Sequence, residues 1–470
     1  MAPVSSSFDL ILKNGRVVTP GGIVETDIAV RDGRIAEIGD VARAPAQEII
    51  DCKGLHVLPG VIDTQVHFRE PGLTHKEDLS TGTLSAIMGG VTTVFEMPNT
   101  DPLTITASTL HDKLHRAAEK AFCDYAFFMG GCAENAHIIG ELEKLPGCCG
   151  VKIFMGSSTG ALLAAQDEVI LKIFQHGSRR VALHAEDEER LKSRKHIADT
   201  SHNVQDHPVW RDVECALKAV QRAVRLARQA GRKIHLLHVT SGDEMVFLKD
   251  HKDIATIETT PQHLTLSAPE CYERLGRLAQ MNPPIRDKKH TEMLWTAVRN
   301  GTVDVLGSDH APHTLEEKAK EYPASPSGMT GVQTMLPVML DHVNKGNLSL
   351  ERLVDLLSHG PQRIYQISAK GRIAAGYDAD FALVDLGRRE TITNRWIKSR
   401  CGWTPFDGMG VTGWVQGTIL RGRPVMWDGE LTEAAKSRLG RGQPVKFADS
   451  LTSASIPDET DVIMPKIECC

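Results

Sequence analysis

The sequence lacks several features that would assign it at once to a broad class of protein. No apolar run approaches the roughly 18 residues that a membrane-spanning helix requires. Basic residues are not in excess: 54 lysines and arginines stand against 60 aspartates and glutamates, whereas a nucleic-acid-binding surface is basic. The first seven residues show no basic segment followed by an apolar core, as a secretory signal would. We therefore expect a cytoplasmic protein that binds neither a membrane nor nucleic acid.

The ten cysteines do not form the pattern of a disulfide framework. Cys148 and Cys149 are adjacent, as are Cys469 and Cys470, and no pair has the CxxC spacing of a metal or redox motif. A chain of 470 residues buries enough apolar surface to fold without covalent cross-links. We expect reduced thiols, with the internal cysteines serving as small buried apolar residues.

Short strand-like segments separated by turns occupy both ends of the chain. Near the amino terminus, the pairs Asn14-Gly15 and Asp32-Gly33 follow apolar segments and are typical of hairpin turns. Similar short strand-like segments occur at residues 381–385, 417–421 and 424–427. The pattern predicts one small β-domain built from residues 1–59 and 368–445.

The central segment, residues 60–367, alternates apolar strand-like runs with stretches of helical spacing. The strand-like runs are 91–96, 150–154, 181–184, 233–239, 255–259 and 303–307. Residues 215–230 carry Ala, Leu, Arg and Val at helical spacing. Such alternation predicts an α/β fold, either a (β/α)8 barrel or a doubly wound sheet. The tail, residues 446–470, is rich in Ser, Thr, Pro and acidic residues, and we expect it to be poorly ordered.

Polar side chains stand at or near the carboxyl ends of these runs. The residues concerned are His67, Lys152, His184, His238 and Asp309. In a β/α barrel, side chains at those strand ends converge on one face, where the active site is built. Three histidines and an aspartate at one face have the chemistry to hold one or two Zn²⁺ ions.

Lys152 is unusual because it lies within an apolar strand. Burying an ammonium is costly unless it is neutralised or paired. One alternative is carbamylation by CO₂, which would give an N6-carboxylated lysine whose anionic group could bridge two metal ions. The other is an ammonium that reaches solvent at the strand end. The residue pattern by itself leaves both open.

Five motifs, taken in their order along the chain, resemble the dihydroorotase branch of the amidohydrolase superfamily. They are Asp63-Thr-Gln-Val-His67-Phe-Arg69-Glu-Pro-Gly72, Glu96-Met-Pro-Asn99-Thr, Gly150-Val-Lys152-Ile-Phe-Met-Gly-Ser-Ser-Thr-Gly160, Asn282-Pro-Pro-Ile-Arg286 and Gly307-Ser-Asp309-His-Ala-Pro-His313. The resemblance runs from about residue 8 to residue 430. It implies a (β/α)8 barrel of the amidohydrolase type that carries a small β-sandwich formed by both termini, in agreement with the organisation described above.

The resemblance also implies a set of metal ligands, namely His67, carbamylated Lys152, His184, His238 and Asp309. One position departs from the superfamily pattern of His-x-His after the first barrel strand, because this chain has Gln65 two residues before His67. A glutamine offers only a neutral amide oxygen, which is a poorer zinc ligand than imidazole. With Gln65 as a candidate ligand, we expect either one tightly and one weakly held metal ion or a single ion.

Four further residues are candidates for substrate binding. Arg69, Asn99 and His313 match the positions that grip the substrate carboxylate in dihydroorotases, and Asn282 opens the fourth motif. A guanidinium, an amide and an imidazole together suit a small anion. Relatives that act on uncharged dihydropyrimidines or hydantoins would have no use for such a clamp, so the set favours dihydroorotate.

The resemblance thus implies reversible hydrolysis of (S)-dihydroorotate to N-carbamoyl-L-aspartate, a step of pyrimidine synthesis. We expect a metal-activated hydroxide to attack the ring amide, with Asp309 as general base and acid. Two alternatives stay open: a related cyclic amidase of the allantoinase or hydantoinase type, and a catalytically inactive homologue that serves as a scaffold, which Gln65 would allow. The expected partner is a small-molecule substrate, and assembly into a homo-oligomer is left open.

Overall fold

A computed structural model describes residues 7–158, 162–437 and 441–451 of the chain. Its strands form three groups along the sequence. The first group is β1 (Phe8–Thr19), β2 (Gly22–Arg31), β3 (Arg34–Gly39), β4 (Ala46–Asp51) and β5 (His56–Pro59). The second is β6 (Val61–Val66), β7 (Val91–Glu96), β8 (Asp124–Gly130), β9 (Cys148–Phe154), β10 (Val181–His184), β11 (Ile234–Leu236), β12 (Ala255–Thr259) and β13 (Val305–Leu306). The third is β14 (Phe381–Thr391), β15 (Gly410–Leu420), β16 (Arg423–Trp427) and β17 (Glu430–Leu431).

The second group forms an eight-stranded parallel sheet in sequence order, from β6 to β13. Beyond β13, His310 pairs with Val66, and its carbonyl accepts the His67 N–H at 2.7 Å. The first and last strands therefore meet, and the sheet curves into a nearly closed barrel. Of the two predicted α/β folds, the barrel is confirmed.

Helices connect the barrel strands and surround them. They are α1 (Leu79–Met88), α2 (Ala107–Lys120), α3 (Ile139–Leu142), α4 (Asp167–Gln175), α5 (Glu188–Ser201), α6 (His207–Trp210), α7 (Val213–Ala230), α8 (Gly242–Leu248), α9 (Pro261–Thr265), α10 (Glu270–Leu275), α11 (Lys288–Arg299), α12 (Leu315–Lys318), α13 (Met335–Asn344), α14 (Leu350–Val354), α15 (Gly360–Tyr365) and, in the carboxyl-terminal part, α16 (Glu433–Lys436). The predicted helix over 215–230 corresponds to α7, which Asp212 caps at its start and Gly231, with a φ of 67°, ends. None of the helices in the described part of the chain is both long and apolar enough to span a bilayer.

The strands of both termini join in one nine-stranded mixed sheet. β14 pairs antiparallel with β5, so the carboxyl-terminal strands continue the sheet that the amino-terminal strands begin. The prediction of a β-domain built from both ends of the chain is confirmed. The eight cysteines within the described residues are all unpaired.

One of the two predicted hairpin turns is wrong. Asp32 and Gly33 do form the tight turn between β2 and β3, with φ angles of 52° and 73°. Asn14 and Gly15, in contrast, lie inside β1, where the pairing with β2 shifts register between Leu12 and Gly15. Asn14 has a φ of 59° and forms a bulge, because the Asn14 N–H donates to Asp27 on the neighbouring strand.

The carboxyl-terminal segment packs against the barrel before the described residues end at 451. Val445 and Phe447 are buried: the Val445 N–H donates to the carbonyl of Tyr125, near the start of β8, at 2.9 Å, and the Phe447 ring lies 5.8 Å from the Phe95 ring. The segment expected to be poorly ordered, 446–470, thus begins with residues held against the barrel. Its remainder, 452–470, lies outside the described residues.

A buried cluster of charges joins the barrel to the β-domain. The Lys370 Nζ lies 2.5 Å from Asp124 at the start of β8, 2.5 Å from Asp380 just before β14, and 3.0 Å from Asp378. Arg421 forms a further ion pair with Asp124. This cluster is at the end of the barrel where the strands begin.

Candidate active site

The residues with predicted chemistry lie at the other end of the barrel, where the strands finish. Gln65 is in β6, His67 directly follows that strand, and His184 is the last residue of β10. His238 lies two residues beyond β11, and Asp309 lies three residues beyond β13. Because the strands are parallel, these five side chains meet at one face of the barrel.

A narrow cleft opens at this face. Six of the predicted site residues line it: Gln65, His67, His184, His238, Asn282 and Asp309. The rest of its lining consists of Phe154, Ser158, Ala311, Ser327 and Gly328. The other four predicted residues (Arg69, Asn99, Lys152 and His313) are buried next to this lining or to one another rather than forming the cleft wall.

Two imidazoles face each other in the cleft. The Nδ1 of His184 lies 3.0 Å from the Nε2 of His238. Burial lowers the pKa of both histidines and of His67, so all three are neutral near pH 7 and offer nitrogen lone pairs. Neutral imidazole is the form that binds a metal ion.

Glu186 orients His184 from behind. Its Oε2 lies 2.8 Å from the His184 Nε2 and 2.5 Å from the Arg211 Nη2. Although burial raises the pKa of Glu186, the charge of Arg211 and the hydrogen bond from His184 hold it well below its ordinary value. A carboxylate at Nε2 fixes the proton there and leaves Nδ1 free to face the cleft. The sequence analysis missed Glu186, although its place two residues after a strand-end histidine was an available signal.

Gln65, His67 and Asp309 form a second group of ligand atoms. The Asp309 Oδ1 accepts a hydrogen bond from the Gln65 Nε2 at 3.1 Å and lies 3.4 Å from the His67 Nε2. Among the residues that the structure describes, neither the buried Gln65 Oε1 nor the buried His238 Nδ1 has a hydrogen-bond partner. Buried polar atoms are nearly always satisfied, so an orphaned acceptor beside a carboxylate and neutral imidazoles fits a divalent cation.

Lys152 lies in β9 and is 1% exposed, so its ammonium does not reach solvent. Its Nζ is 4.4 Å from the centre of the Phe154 ring, and within the described residues no carboxylate forms an ion pair with it. Burial lowers the pKa of Lys152 to about 7, against the opposing charges of Asp309 and Glu258. A neutral amine is the form that reacts with CO₂, so the environment favours carbamylation over the solvent-reaching alternative.

Three residues around the cleft have left-handed backbone conformations that side chains other than glycine rarely adopt. The φ angles are 62° at Arg69, 37° at His238 and 43° at Asp309. Such strain costs about 1–3 kcal/mol per residue and is typical of sites where the fold imposes a side-chain position.

Arg69 and His313 form a buried pair beside the ligand groups. The Arg69 Nη2 lies 3.3 Å from the His313 Nε2, and its Nε donates to the Pro312 carbonyl at 3.2 Å. Burial, assisted by the charge of Arg69, lowers the pKa of His313 to about 3. Arg69 is 3% exposed, and no carboxylate among the described residues forms an ion pair with it. Among the described residues, this guanidinium is therefore a buried cation without a direct ion pair, although the charges of Asp309, Glu96 and Glu317 act on it from farther away.

The two amide side chains of the predicted site have different neighbours. The Asn99 Oδ1 lies 2.8 Å from the His67 Nδ1, which places Asn99 behind a candidate metal ligand. The Asn282 Oδ1 lies 3.0 Å from the buried His207 Nε2, and its Nδ2 donates to Ser158 across the cleft at 3.3 Å. Asn282 is thus positioned on the cleft wall, whereas Asn99 links the first two motifs.

Comparison with known proteins is consistent with this architecture. The amidohydrolase family model matches residues 56–425. A dihydroorotase of Methanosarcina mazei is 33% identical over 450 residues, which cover 93% of this chain and 97% of the relative. An allantoinase of Deinococcus radiodurans is 36% identical over 450 residues, covering 93% and 99%. The solved structure of an L-hydantoinase (dihydropyrimidinase) from Arthrobacter aurescens superposes with a TM-score of 0.88 at 33% identity, covering 93% and 99%.

These relatives are named as a dihydroorotase, an allantoinase and a hydantoinase, and all three are similarly identical to this chain. The comparisons therefore support the three activities equally. The shared architecture nevertheless extends over nearly the whole chain, and the family model spans the barrel together with strands of the β-domain. The chain therefore belongs to the amidohydrolase family, among its hydrolases of cyclic amides.

Proposed function

We propose that this protein is a dihydroorotase, which hydrolyses (S)-dihydroorotate reversibly to N-carbamoyl-L-aspartate. The observation that carries the proposal is the buried guanidinium of Arg69, which lacks a carboxylate partner among the described residues. A buried cation without a counter-ion is costly. Dihydroorotate bears a carboxylate that would compensate this charge, whereas hydantoin, allantoin and dihydrouracil do not.

The metal centre that we propose uses His67, His184, His238, Asp309 and carbamylated Lys152, with the Gln65 Oε1 as a weaker additional donor. The family is typically metal-dependent, and zinc suits this mixture of nitrogen and oxygen donors. The chemistry that such an ion supplies when bound is activation of water and polarisation of a carbonyl. Carbamylation itself forms a bond between the Lys152 Nζ and the carbon of CO₂ and releases one proton.

The chain's own residues then have distinct roles in the proposed reaction. Asp309, held by Gln65 and facing His67, accepts a proton from the attacking water and returns it to the departing ring nitrogen. Arg69 and His313 bind the substrate carboxylate and thereby orient the ring in the cleft. Glu186 keeps His184 in the tautomer that presents Nδ1.

The allantoinase or hydantoinase alternative is supported by the equal identity of those relatives. That alternative provides no anionic substrate group to bind the buried charge of Arg69. The scaffold alternative accounts for Gln65 but not for the neutral histidines, the Glu186 support or the buried Lys152, which a scaffold does not require.

The test is Arg69→Met, assayed with dihydroorotate and with dihydrouracil. A hydrogen bond to a charged group contributes about 1.5–3 kcal/mol, so we expect kcat/KM for dihydroorotate to fall about tenfold to a hundredfold or more. Turnover of dihydrouracil, which has no carboxylate, should be unchanged. Arg225→Met, at an arginine with 59% side-chain exposure, is the matched control and should change neither. An equal loss with both substrates at unchanged metal content would refute the clamp.

A further inference from the structure

A second cavity, of about 380 Å³, lies at the opposite end of the barrel from the active-site cleft. Arg180 and Lys233 in its lining directly precede β10 and β11, and Cys149 is the second residue of β9. Cys149 precedes Lys152 by three residues on β9, a rise of about 10 Å along the strand. The cavity therefore lies at the amino ends of the strands, whereas the catalytic residues lie at or beyond their carboxyl ends.

The lining of this cavity is strongly basic. It contains four cationic side chains, Arg179, Arg180, Lys233 and Arg363, and a single carboxylate, Asp449. Two of the cations have partners within the protein. The Arg179 Nη2 lies 2.6 Å from Asp449, and the Arg363 Nη1 lies 2.7 Å from Asp355.

The other two cations, Arg180 and Lys233, form no ion pair with a carboxylate in the part of the chain that the structure describes. Arg180 is partly buried and donates one hydrogen bond, from Nη1 to the Ile234 carbonyl at 3.1 Å. Burial lowers the pKa of Arg180, which reflects the cost of a cation without a counter-ion. Lys233 is exposed at the adjacent strand start. The cavity thus carries two positive charges that no carboxylate of the described residues contacts directly, although the charge of Asp304 acts on Arg180 from farther away.

We propose that this cavity binds the phosphate group of a small anion through Arg180 and Lys233. A guanidinium matches two phosphate oxygens at once, and a lysine ammonium adds a point charge. Two unpaired cations suit the double charge of a phosphate or a phosphate monoester near neutral pH. The site is independent of the proposed reaction at the other end of the barrel.

The experiment is calorimetric titration of the full-length protein with inorganic phosphate and, separately, with adenosine 5′-monophosphate, at constant ionic strength. We expect saturable binding of one equivalent. Equal affinity for the two probes would identify the free ion as the ligand, and tighter binding of the nucleotide would identify a monoester. Arg180→Gln and Lys233→Gln should each weaken binding about tenfold or more, the loss expected for one charged hydrogen bond.

The matched control is Lys288→Gln, at a lysine with 80% side-chain exposure on α11, which should leave affinity unchanged. Lys233 is exposed, so its variant should fold even if Arg180→Gln does not. The proposal is overturned if neither probe binds, or if Lys233→Gln binds phosphate as tightly as the unmodified chain. The readout is binding rather than turnover, so it is unaffected by failure of the dihydroorotase proposal.

Discussion

Two buried lysines at opposite ends of the barrel have contrasting environments. Lys370 lies within 3.0 Å of Asp124, Asp378 and Asp380. Burial alone would lower the pKa of Lys370, but the three carboxylates raise it above its ordinary value. Lys152 has the Phe154 ring as its neighbour, and burial lowers its pKa to about 7. The first lysine is held as a cation by its three carboxylates, whereas burial of the second favours the neutral amine.

This difference separates a structural cluster from the catalytic cluster that we propose. The carboxylate oxygens of Asp124, Asp378 and Asp380 lie within 4.8 Å of one another, a grouping that could hold a metal ion by distance alone. The Lys370 ammonium already occupies the centre of that group and joins the barrel to the β-domain. At the cleft, in contrast, ligand atoms such as the Gln65 Oε1 remain unsatisfied within the described residues. Buried ligand atoms without a hydrogen-bond partner among the described residues, rather than clustered carboxylates, mark the metal centre that we propose.

The largest effect is expected for Lys152→Ala. Without the carbamate, the proposed centre loses the anion that bridges its two groups of ligands, so bound metal should fall and turnover should drop below detection. Metal per chain and turnover are the measurements, and a short-chain carboxylic acid added to the variant should restore part of both. Full metal content and normal turnover in Lys152→Ala would show that Lys152 is not a ligand.

The variant Lys370→Met changes the other buried lysine. We expect it to lower the stability of the protein and to leave metal binding unchanged. Removing one partner of a buried ion pair typically costs about 3–5 kcal/mol, because the remaining charges stay buried. We expect a loss of this size in the free energy of unfolding measured with denaturant, with unchanged metal per folded chain. Lys345→Met, at a lysine with 56% side-chain exposure paired with Asp341, should stay within about 0.5 kcal/mol of the unmodified protein. If Lys370→Met lost metal but kept its free energy of unfolding, the cluster around Lys370 would be the metal site and our assignment of the two clusters would be wrong.

A smaller effect is expected for Glu186→Gln, which removes the charge behind His184. Loss of such a supporting carboxylate typically lowers metal affinity about tenfold to a hundredfold. Affinity should be measured by competition with a chelator, and nitrogen NMR of His184 should show a changed tautomer population. The control is Glu188→Gln, a buried carboxylate two residues away that binds Ser157 instead. Equal metal affinity in the two variants would mean that Glu186 has no special role.

The sequence predicted those parts of the site that depend on local position. His184 and Lys152 could be identified because each lies in an apolar strand, and the parallel barrel determines that strand ends meet. Contacts between distant segments carry no such local signal. The ion pairs of Lys370 with Asp124 and of Glu186 with Arg211 were not predicted, since each depends on how separate elements pack.

The two pairs typical of hairpin turns predicted a turn correctly only where no side chain on a neighbouring strand bound the turn residues. Asp32-Gly33 forms the predicted hairpin, while Asn14 is drawn into a bulge by Asp27 on β2. Phe447 illustrates the same limit at the other end of the chain. Its sequence neighbours, Val445, Lys446, Ala448 and Asp449, show no clear strand or helix pattern, and its burial is explained by contact with the Phe95 ring.

The most direct test of the proposed function is a comparison of kcat/KM for dihydroorotate, allantoin and hydantoin with the metal-loaded, full-length protein. We expect dihydroorotate to be hydrolysed most efficiently, because it alone among these rings offers a carboxylate to the buried Arg69. N-carbamoyl-L-aspartate should also be converted back to the ring by the same preparation. Faster hydrolysis of allantoin or hydantoin than of dihydroorotate would contradict the account and make Arg69 a structural residue.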